Sequence, residues 1–432
     1  MRIASITAGA GRMYCGSCLR DNVLAKSLMD AGHDVLLIPT YTPTRTDEQN
    51  VSRGRLFLGG INIYLQQHFE IFRKTPRFLD RLLDFKPLLN LVTRMGISVD
   101  PADLGNLTVA MLEGTNGPLR KEIRRLARFL SGEISPEIVT IPNSLLIALA
   151  PAIKEELDVP VVCTLQGEEL FLDGLIEPFH ERAIRIIREQ VKYIDAFIAV
   201  SHFGARHMAD ILDIPLDRIH VVPLGISFEG FAMPDKNRQD PFTIGYLARI
   251  APEKGLHILC DAYRSFRSLS GVPDSRLWAA GYHPPEHKSY FDEIQKKMAD
   301  WGHLDHFHYH GELNRRKKLQ YLSSLSVFSV PTSFDDPKGL FLLEAMAAGI
   351  PVVQPRRGAF TEVIEKTGGG ILVEPDDPDA LAQGFLDILH NPDQRDELSD
   401  KAFHGVREHY NLAQMTEKAV EVFQTIIDKK NM

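Results

Sequence analysis

The stretch PFTIGYLARIAPEKGLHILCDAYRSF, residues 241–266, decides the fold of the second half of the chain. FTIGYL (242–247) is a short run of β-branched and aromatic residues behind a proline, which reads as a buried strand, and GLHILCDAYRSF has helical spacing. The loop between them, ARIAPEKG, carries Arg249 and Lys254. Working outward, the same alternation continues to about Asn391. Strand-like runs are RLWAAG (276–281), HFHYHG (306–311), VFSVP (327–331), PVVQP (351–355) and GGILVEP (369–375). The segments between them include PEHKSYFDEIQKKMADWG, NRRKKLQYLSSL, GLFLLEAMAAG and PDALAQGFLDILHN, all with helical spacing. Strict alternation of strand and helix predicts parallel strands joined by right-handed crossovers, with helices on both faces of the sheet.

The first half starts the same way, with RIASIT, a glycine-bearing loop, the helix DNVLAKSLMDAGHD and the strand VLLIPTY. It resumes with PEIVTI, LLIALAPAIKEEL, PVVCTL, a long helix near Glu177 to Tyr193, AFIAVS and a strand ending RIHVVPLG. Residues 45–130 break the rhythm and read as an insertion without an assignable fold. The expected organisation is an α/β protein of two doubly wound, Rossmann-like domains facing across a cleft: 1–230, with the insertion, and 240–405. The polar linker ISFEGFAMPDKNRQDP (226–241) would join them. The tail VREHYNLAQMTEKAVEVFQTIID is expected to continue as helix, with 406–432 crossing back to the N-terminal domain. Ligands of such sheets bind beyond the carboxyl ends of the strands, where strand order reverses.

Composition supports a globular chain of two or three domains: 432 residues, 44% hydrophobic and 25% charged. Acidic residues exceed basic ones, 57 to 49, for a net charge of −8, the wrong sign for binding nucleic acid through the overall field. The longest apolar run, Ser144 to Ile153, is about half the ~20 residues of a membrane span. The N-terminus reads as a first strand and not a signal peptide, and four cysteines do not make a disulfide framework. A cytoplasmic setting is expected.

Two cations five residues apart in a loop after a strand suit a diphosphate, Arg249 offering a planar fork of donors and Lys254 a mobile point charge. Both could equally be solvated loop charges. In PTSFDDPKGLFLLEAMAAGIPVV (331–353), Asp336 falls at the expected end of a strand, Gly339 at a helix start and Glu344 one and a half turns inside it. A glycine there lets backbone N–H groups approach a phosphate, and the two carboxylates can accept from sugar or ribose hydroxyls. An acidic helix start needs no ligand.

PTSFDDPKGLFLLEAMAAGIPVV together with GYLARIAPEKG resembles the nucleotide-sugar site of the retaining glycosyltransferases of family 4 and their glycogen-synthase-like relatives, which have the GT-B fold. SGEISPEIV (131–139), AFIAVSHFGARHM and RIHVVPLGI extend the resemblance over nearly the whole chain. It implies transfer of a sugar from a nucleotide diphosphate sugar to an acceptor hydroxyl with retention of configuration, in carbohydrate biosynthesis, the acceptor being a carbohydrate, a lipid or a small molecule. It assigns Arg249 and Lys254 to the diphosphate, Glu344 to the ribose and Asp336, where the family has a glutamate, to the transferred sugar. It makes 1–230 the acceptor-side and 240–405 the nucleotide-sugar-binding domain, and puts Gly16, Ser17, Gln166, Gly311, Glu312, Gly339, Leu340 and Phe341 on the donor side, with Gly16 and Ser17 facing the donor phosphates or the acceptor. The family uses cationic side chains in place of a metal ion, so no cofactor and no metal are expected.

In its N-terminal half the chain departs from the pattern in two further places. Cys15 and Cys18 stand as a C-x-x-C where the family has paired glycines, which leaves open a dithiol role or redox gating beside an incidental pair. Gln166 stands where a histidine is usual, and a glutamine cannot take a proton. A catalytically silent nucleotide-sugar binder is the alternative that Gln166 and Asp336 together leave open. His306, His308 and His310 would share one face of a strand, with His303 nearby, a spacing open to a metal site, whereas Phe307 and Tyr309 read as core. LRKEIRRLARFL (119–130) is a basic amphipathic helix; a core-facing stripe with a solvated basic face is preferred to peripheral membrane contact.

Overall fold

The computed structural model describes residues 1–9, 16–52, 101–234 and 241–432. Cys15, most of the 45–130 insertion and part of the 226–241 linker lie outside the described residues. The chain divides into two compact units, the first made of Met1–Pro223 and Met415–Met432, the second of Leu224–Gln414.

In the first unit six parallel strands run β1 Arg2–Thr7, β2 Asp34–Pro39, β3 Ile138–Ile141, β4 Val161–Leu165, β5 Ala196–Ala199 and β6 Ile219–Val221. They lie in the order β2-β1-β3-β4-β5-β6, so strand order reverses between β1 and β3. Strands β3, β4 and β5 are buried along their whole length, as expected of a parallel sheet covered on both faces. Its helices are α1 Gly16–Asp30, α2 Pro101–Leu112, α3 Arg120–Phe129, α4 Leu149–Glu156, α5 Glu169–Asp173, α6 Phe179–Gln190 and α7 His202–Leu212. From Pro101 on, the described part of the insertion is thus mostly helical, whereas 45–52 is loop. Leu119, Ile123, Leu126 and Leu130 are all buried, so the stripe of α3 faces the core. Its arginines meet carboxylates, Arg124 with Glu155, Arg128 with Glu156, and Arg125 with the fully buried Glu122 at 3.2 Å.

The second unit repeats the plan with β7 Phe242–Leu247, β8 Ser275–Ala280, β9 Phe307–Tyr309, β10 Val327–Phe328, β11 Val352–Pro355 and β12 Gly370–Val373, in the order β12-β11-β10-β7-β8-β9. All pairs are parallel, and β7 keeps register with β8 from Phe242 opposite Ser275 to Leu247 opposite Ala280. Strand order reverses between β7 and β10. The loops after these two strands carry Arg249, Lys254, Asp336 and Gly339, at the place where sheets of this kind take ligands. The helices are α8 Leu256–Ser268, α9 Lys288–Asp300, α10 Arg315–Ser323, α11 Leu340–Ala347, α12 Gly358–Thr367, α13 Pro378–His390 and α14 Pro392–His409.

Two expectations need correction. The tail is not one helix: α14 ends at His409 and α15 Leu412–Asn431 begins after Asn411. Asn411 bridges Ile226 in parallel fashion and its side chain accepts from the Gln414 N–H, so pairing with the interdomain segment interrupts the helix. Asp336 is not at a strand end, because β10 closes at Phe328 and Asp336 lies in the loop that follows. Among the described residues no helix is long and apolar enough to cross a membrane.

Candidate active site

Gly255 starts the construction. It adopts φ +71°, and a Cβ there would fall 1.8 Å from the Pro331 carbonyl oxygen. Only glycine lets the turn after β7 lie this close to the segment after β10. The Ser333 N–H donates to the Glu253 carbonyl at 3.0 Å, tying the two loops a second time.

Lys254 then reaches across. Its Nζ lies 2.7 Å from Asp336 Oδ2, with the lysine side chain 17% and the aspartate 4% exposed. The Phe334 ring lies 4.6 Å and the Phe341 ring 5.7 Å from the ammonium, so the pair sits in an apolar frame that strengthens its attraction. The other carboxylate oxygen accepts from the backbone N–H groups of Lys338 at 2.9 Å and Gly339 at 3.2 Å. Burial alone would push the Asp336 carboxyl up, but the charges of Lys254 and Lys338 and these hydrogen bonds win and hold it at about 2.

The same loop is clamped from β11. Arg357 donates to the Thr332 carbonyl at 3.1 Å and pairs with Asp376 at 2.6 Å, while the Ala359 N–H donates to the Asp336 carbonyl at 2.9 Å. Gly358 allows this approach, since a Cβ there would lie 2.5 Å from that carbonyl.

Helix α11 starts at Leu340 behind Gly339. The Gly339 carbonyl accepts from the N–H groups of Leu342 and Leu343 at 2.9 and 3.3 Å, so those of Leu340 and Phe341 ahead of them are the ones without an intrahelical acceptor, which makes this end a ready anion seat beside the Lys254 ammonium. One turn further on, Glu344 is 8% exposed and its Oε1 accepts from Lys318 Nζ of α10 at 2.6 Å. Arg249, more exposed, pairs with Glu253. Gly311 and Glu312 follow β9, with the Gly311 carbonyl accepting from the Gly281 N–H at 2.9 Å.

The second unit therefore gathers Lys254, Asp336, Gly339, Leu340 and Phe341, with Arg249 on the same loop as Lys254 and Glu344 on the helix that Gly339 caps. Lys318, Arg357 and Gly358 were missed in the sequence. Lys318 sits in the basic run RRKK, where nothing marks one lysine as buried.

Gly16, Ser17 and Gln166 belong to the first unit. Gly16 and Ser17 open α1. Gln166 is 2% exposed, and its Nε2 donates to the Pro142 carbonyl at 2.8 Å and to Asp21 at 3.3 Å, so it is built into the protein interior. Cys18 is buried at 1% exposure. Of the three histidines that the strand reading put on one face, His308 and His310 meet, their ring centroids 4.4 Å apart, and His306 does not join them. His306 belongs to the turn before β9 and faces Asp274, while the His310 ring packs on His308, Trp278 and Tyr321. Among the described residues no group of three His, Cys, Asp or Glu side chains is placed to hold a metal ion.

Residues 231–404 match the family described as glycosyl transferases group 1, and residues 107–229 match glycosyltransferase family 4. The chain belongs to the family 4 glycosyltransferases. The phosphatidyl-myo-inositol mannosyltransferase of Mycolicibacterium smegmatis is 25% identical over 257 residues, 59% of this chain and 60% of that protein. The match thus spans about 60% of the length of that curated relative. The sucrose-phosphate synthase of Thermosynechococcus elongatus has the same GT-B fold, with TM-score 0.72 at 16% identity over 99% of both chains. So does HepE of Anabaena, solved in complex with UDP, with TM-score 0.69 at 16% identity over 98% of this chain and 100% of that one.

Proposed function

We propose that this glycosyltransferase moves a sugar from a nucleoside diphosphate sugar to an acceptor hydroxyl with retention of anomeric configuration. The observation that carries the reading is the Lys254 ammonium, fixed between two phenyl rings beside the first turn of α11, at the switch point of the second sheet. As the glycosidic bond breaks, negative charge grows on the departing diphosphate. Lys254 spends one N–H on Asp336 and keeps two for that charge, the N–H groups of Leu340 and Phe341 add fixed donors, and Arg249 supplies a fork. Because these donors are already oriented, they cost little reorganisation when the charge appears.

Asp336 holds Lys254 and the helix start in place and, beside them, orients the transferred sugar. Glu344 accepts from the ribose hydroxyls through the oxygen that Lys318 does not engage. Gly311 and Glu312 line the base. The complex of HepE with UDP supports a nucleoside diphosphate donor in this fold. Two kinds of curated relative, the phosphatidyl-myo-inositol mannosyltransferases and the D-inositol 3-phosphate glycosyltransferases, carry inositol in their names, which supports a polyhydroxylated acceptor here. The cationic side chains take the role a divalent ion would otherwise have, so EDTA should leave turnover unchanged.

The test is a panel of UDP, GDP and ADP sugars incubated with the protein and candidate polyols, following nucleoside diphosphate release and the anomeric configuration of the product by NMR. An α-configured product from an α-linked donor supports the reading. A β-configured product overturns retention, and no release from any donor overturns transfer.

A further inference from the structure

The sheet of the first unit ends at β6, and a cavity of about 600 Å³ opens along that end. Four consecutive residues, Ile219, His220, Val221 and Val222, line it. Successive side chains of a strand point to opposite faces, so a cavity that touches all four lies along the free edge of the strand and not over one face. Two helices wall it. The crossovers from β1 through α1 to β2 and from β5 through α7 to β6 run in opposite directions across the sheet, so right-handed connections put α1 and α7 on opposite faces. Helix α15 lies with α1, the Thr416 hydroxyl donating to Ser27 Oγ at 2.6 Å. The cavity therefore has α7 on one side, contributing Arg206, and α15 on the other, contributing Lys418, Glu421 and Val422.

The edge carries unused backbone groups. The Val222 N–H donates to the Ala199 carbonyl of β5 at 2.9 Å, so by alternation both the N–H and the C=O of Val221 point away from β5, toward the cavity. Neither is bonded by another described residue. The Ile219 N–H instead turns back to the Leu216 carbonyl, and Leu216 leaves an apolar side chain 56% exposed at the cavity. An edge with free donors and acceptors and apolar flanks is a template for one more strand. Charge decides whose strand. Arg206 and Lys418 outnumber Glu421, and neither cation forms an ion pair with a described residue. A second copy joined edge to edge about a two-fold axis would set each cation against its own equivalent, which disfavours self-pairing. Because side chains of an added strand alternate between the faces, two adjacent acidic residues would meet Arg206 on one side and Lys418 on the other.

We propose that the free edge of β6, between α7 and α15, is a docking groove for an extended segment of a partner protein that carries adjacent acidic residues, held by main-chain hydrogen bonds to Val221 and by Arg206 and Lys418. The proposal does not rest on the transfer reading, because none of these residues has a part in it and the readout is binding.

The experiment is an NMR titration of the full chain with a blocked pentapeptide of two adjacent glutamates flanked by valines. Its controls are the same peptide with lysines for the glutamates and the acidic peptide N-methylated at alternate amides. The proteins are wild type, Arg206→Gln/Lys418→Gln and Val221→Pro; the last removes an outward N–H and no ladder bond, since Val221 faces away from β5. Thermal midpoints report folding, and if Val221→Pro does not fold, the N-methylated peptide tests the same pairing on wild type. The groove predicts that the acidic peptide binds wild type, that the lysine peptide and the N-methylated peptide each bind about tenfold more weakly or worse, and that each variant loses a similar factor. No binding of the acidic peptide, or variants that match wild type, would overturn the groove. Equal binding of the N-methylated peptide would make the cavity a plain anion site and overturn strand pairing. Sedimentation equilibrium showing a dimer that Val221→Pro dissolves would assign the edge to a second copy and overturn the partner.

Discussion

Replacing Lys254 by methionine should destabilise the second unit, and the size of the loss follows from the burial of its partner. Asp336 is 3% exposed and held at about 2 against an ordinary 3.8. That depression corresponds to roughly 2 kcal/mol of stability at neutral pH. The folded-state value lies below the unfolded one, so this contribution is complete above about pH 4 and is lost as pH falls toward 2. Without Lys254 the carboxylate keeps only Lys338 and two backbone donors in an apolar setting. Removing one member of a buried pair typically costs about 3–5 kcal/mol. Taking about 3 kcal/mol, and about 2–4 °C per kcal/mol for a unit of this size, the midpoint should drop by roughly 6–12 °C. Scanning calorimetry of wild type, Lys254→Met and Lys254→Met/Asp336→Asn at pH 7 and pH 3 reads this directly. The double variant should melt above Lys254→Met, and the gap between Lys254→Met and wild type should narrow at pH 3. A Lys254→Met midpoint within about 1 °C of wild type at pH 7, or a gap unchanged at pH 3, would refute the reasoning.

Lys318→Met should leave Glu344 as an uncompensated buried charge and weaken binding of a nucleoside diphosphate, whereas Lys318→Met/Glu344→Gln should regain stability but not nucleotide affinity; thermal midpoints and calorimetric titration with UDP separate the two effects. Gly255→Ala should cost more than Gly32→Ala. Both have positive φ, but an added Cβ meets the Pro331 carbonyl at 1.8 Å in the first and nothing within 4 Å in the second, so urea midpoints should fall markedly for Gly255→Ala and only by the backbone penalty of about 1–2 kcal/mol for Gly32→Ala.

Much of the fold was legible because alternation is a local property. FTIGYL and its following helix occupy Phe242–Leu247 and Leu256–Ser268, close to where spacing alone puts them. What the sequence hid is set by contacts between distant residues. VFSVP yields only a two-residue strand, and Asp336 lies in the loop beyond it, bound to a lysine 82 positions earlier. The tail breaks at Asn411 with no proline or glycine, because that residue bridges Ile226. At the site, the Arg249 and Lys254 pair was visible as a motif, while Lys318 was masked by the charges around it. Gln166 was read as facing a ligand from its place after β4, yet its amide nitrogen is spent on Asp21 and Pro142, contacts that only the folded sheet end creates.

The most direct test of the nucleotide site is calorimetric titration of wild type and Arg249→Gln with UDP, GDP and ADP. Arg249 is the more exposed cation of the loop and is not buried against Asp336, so its loss should spare the fold. The account predicts that at least one diphosphate binds wild type and that Arg249→Gln binds it about tenfold more weakly or worse, the worth of one charge-assisted hydrogen bond. Equal affinity in the two proteins, or no binding of any of the three, would contradict it.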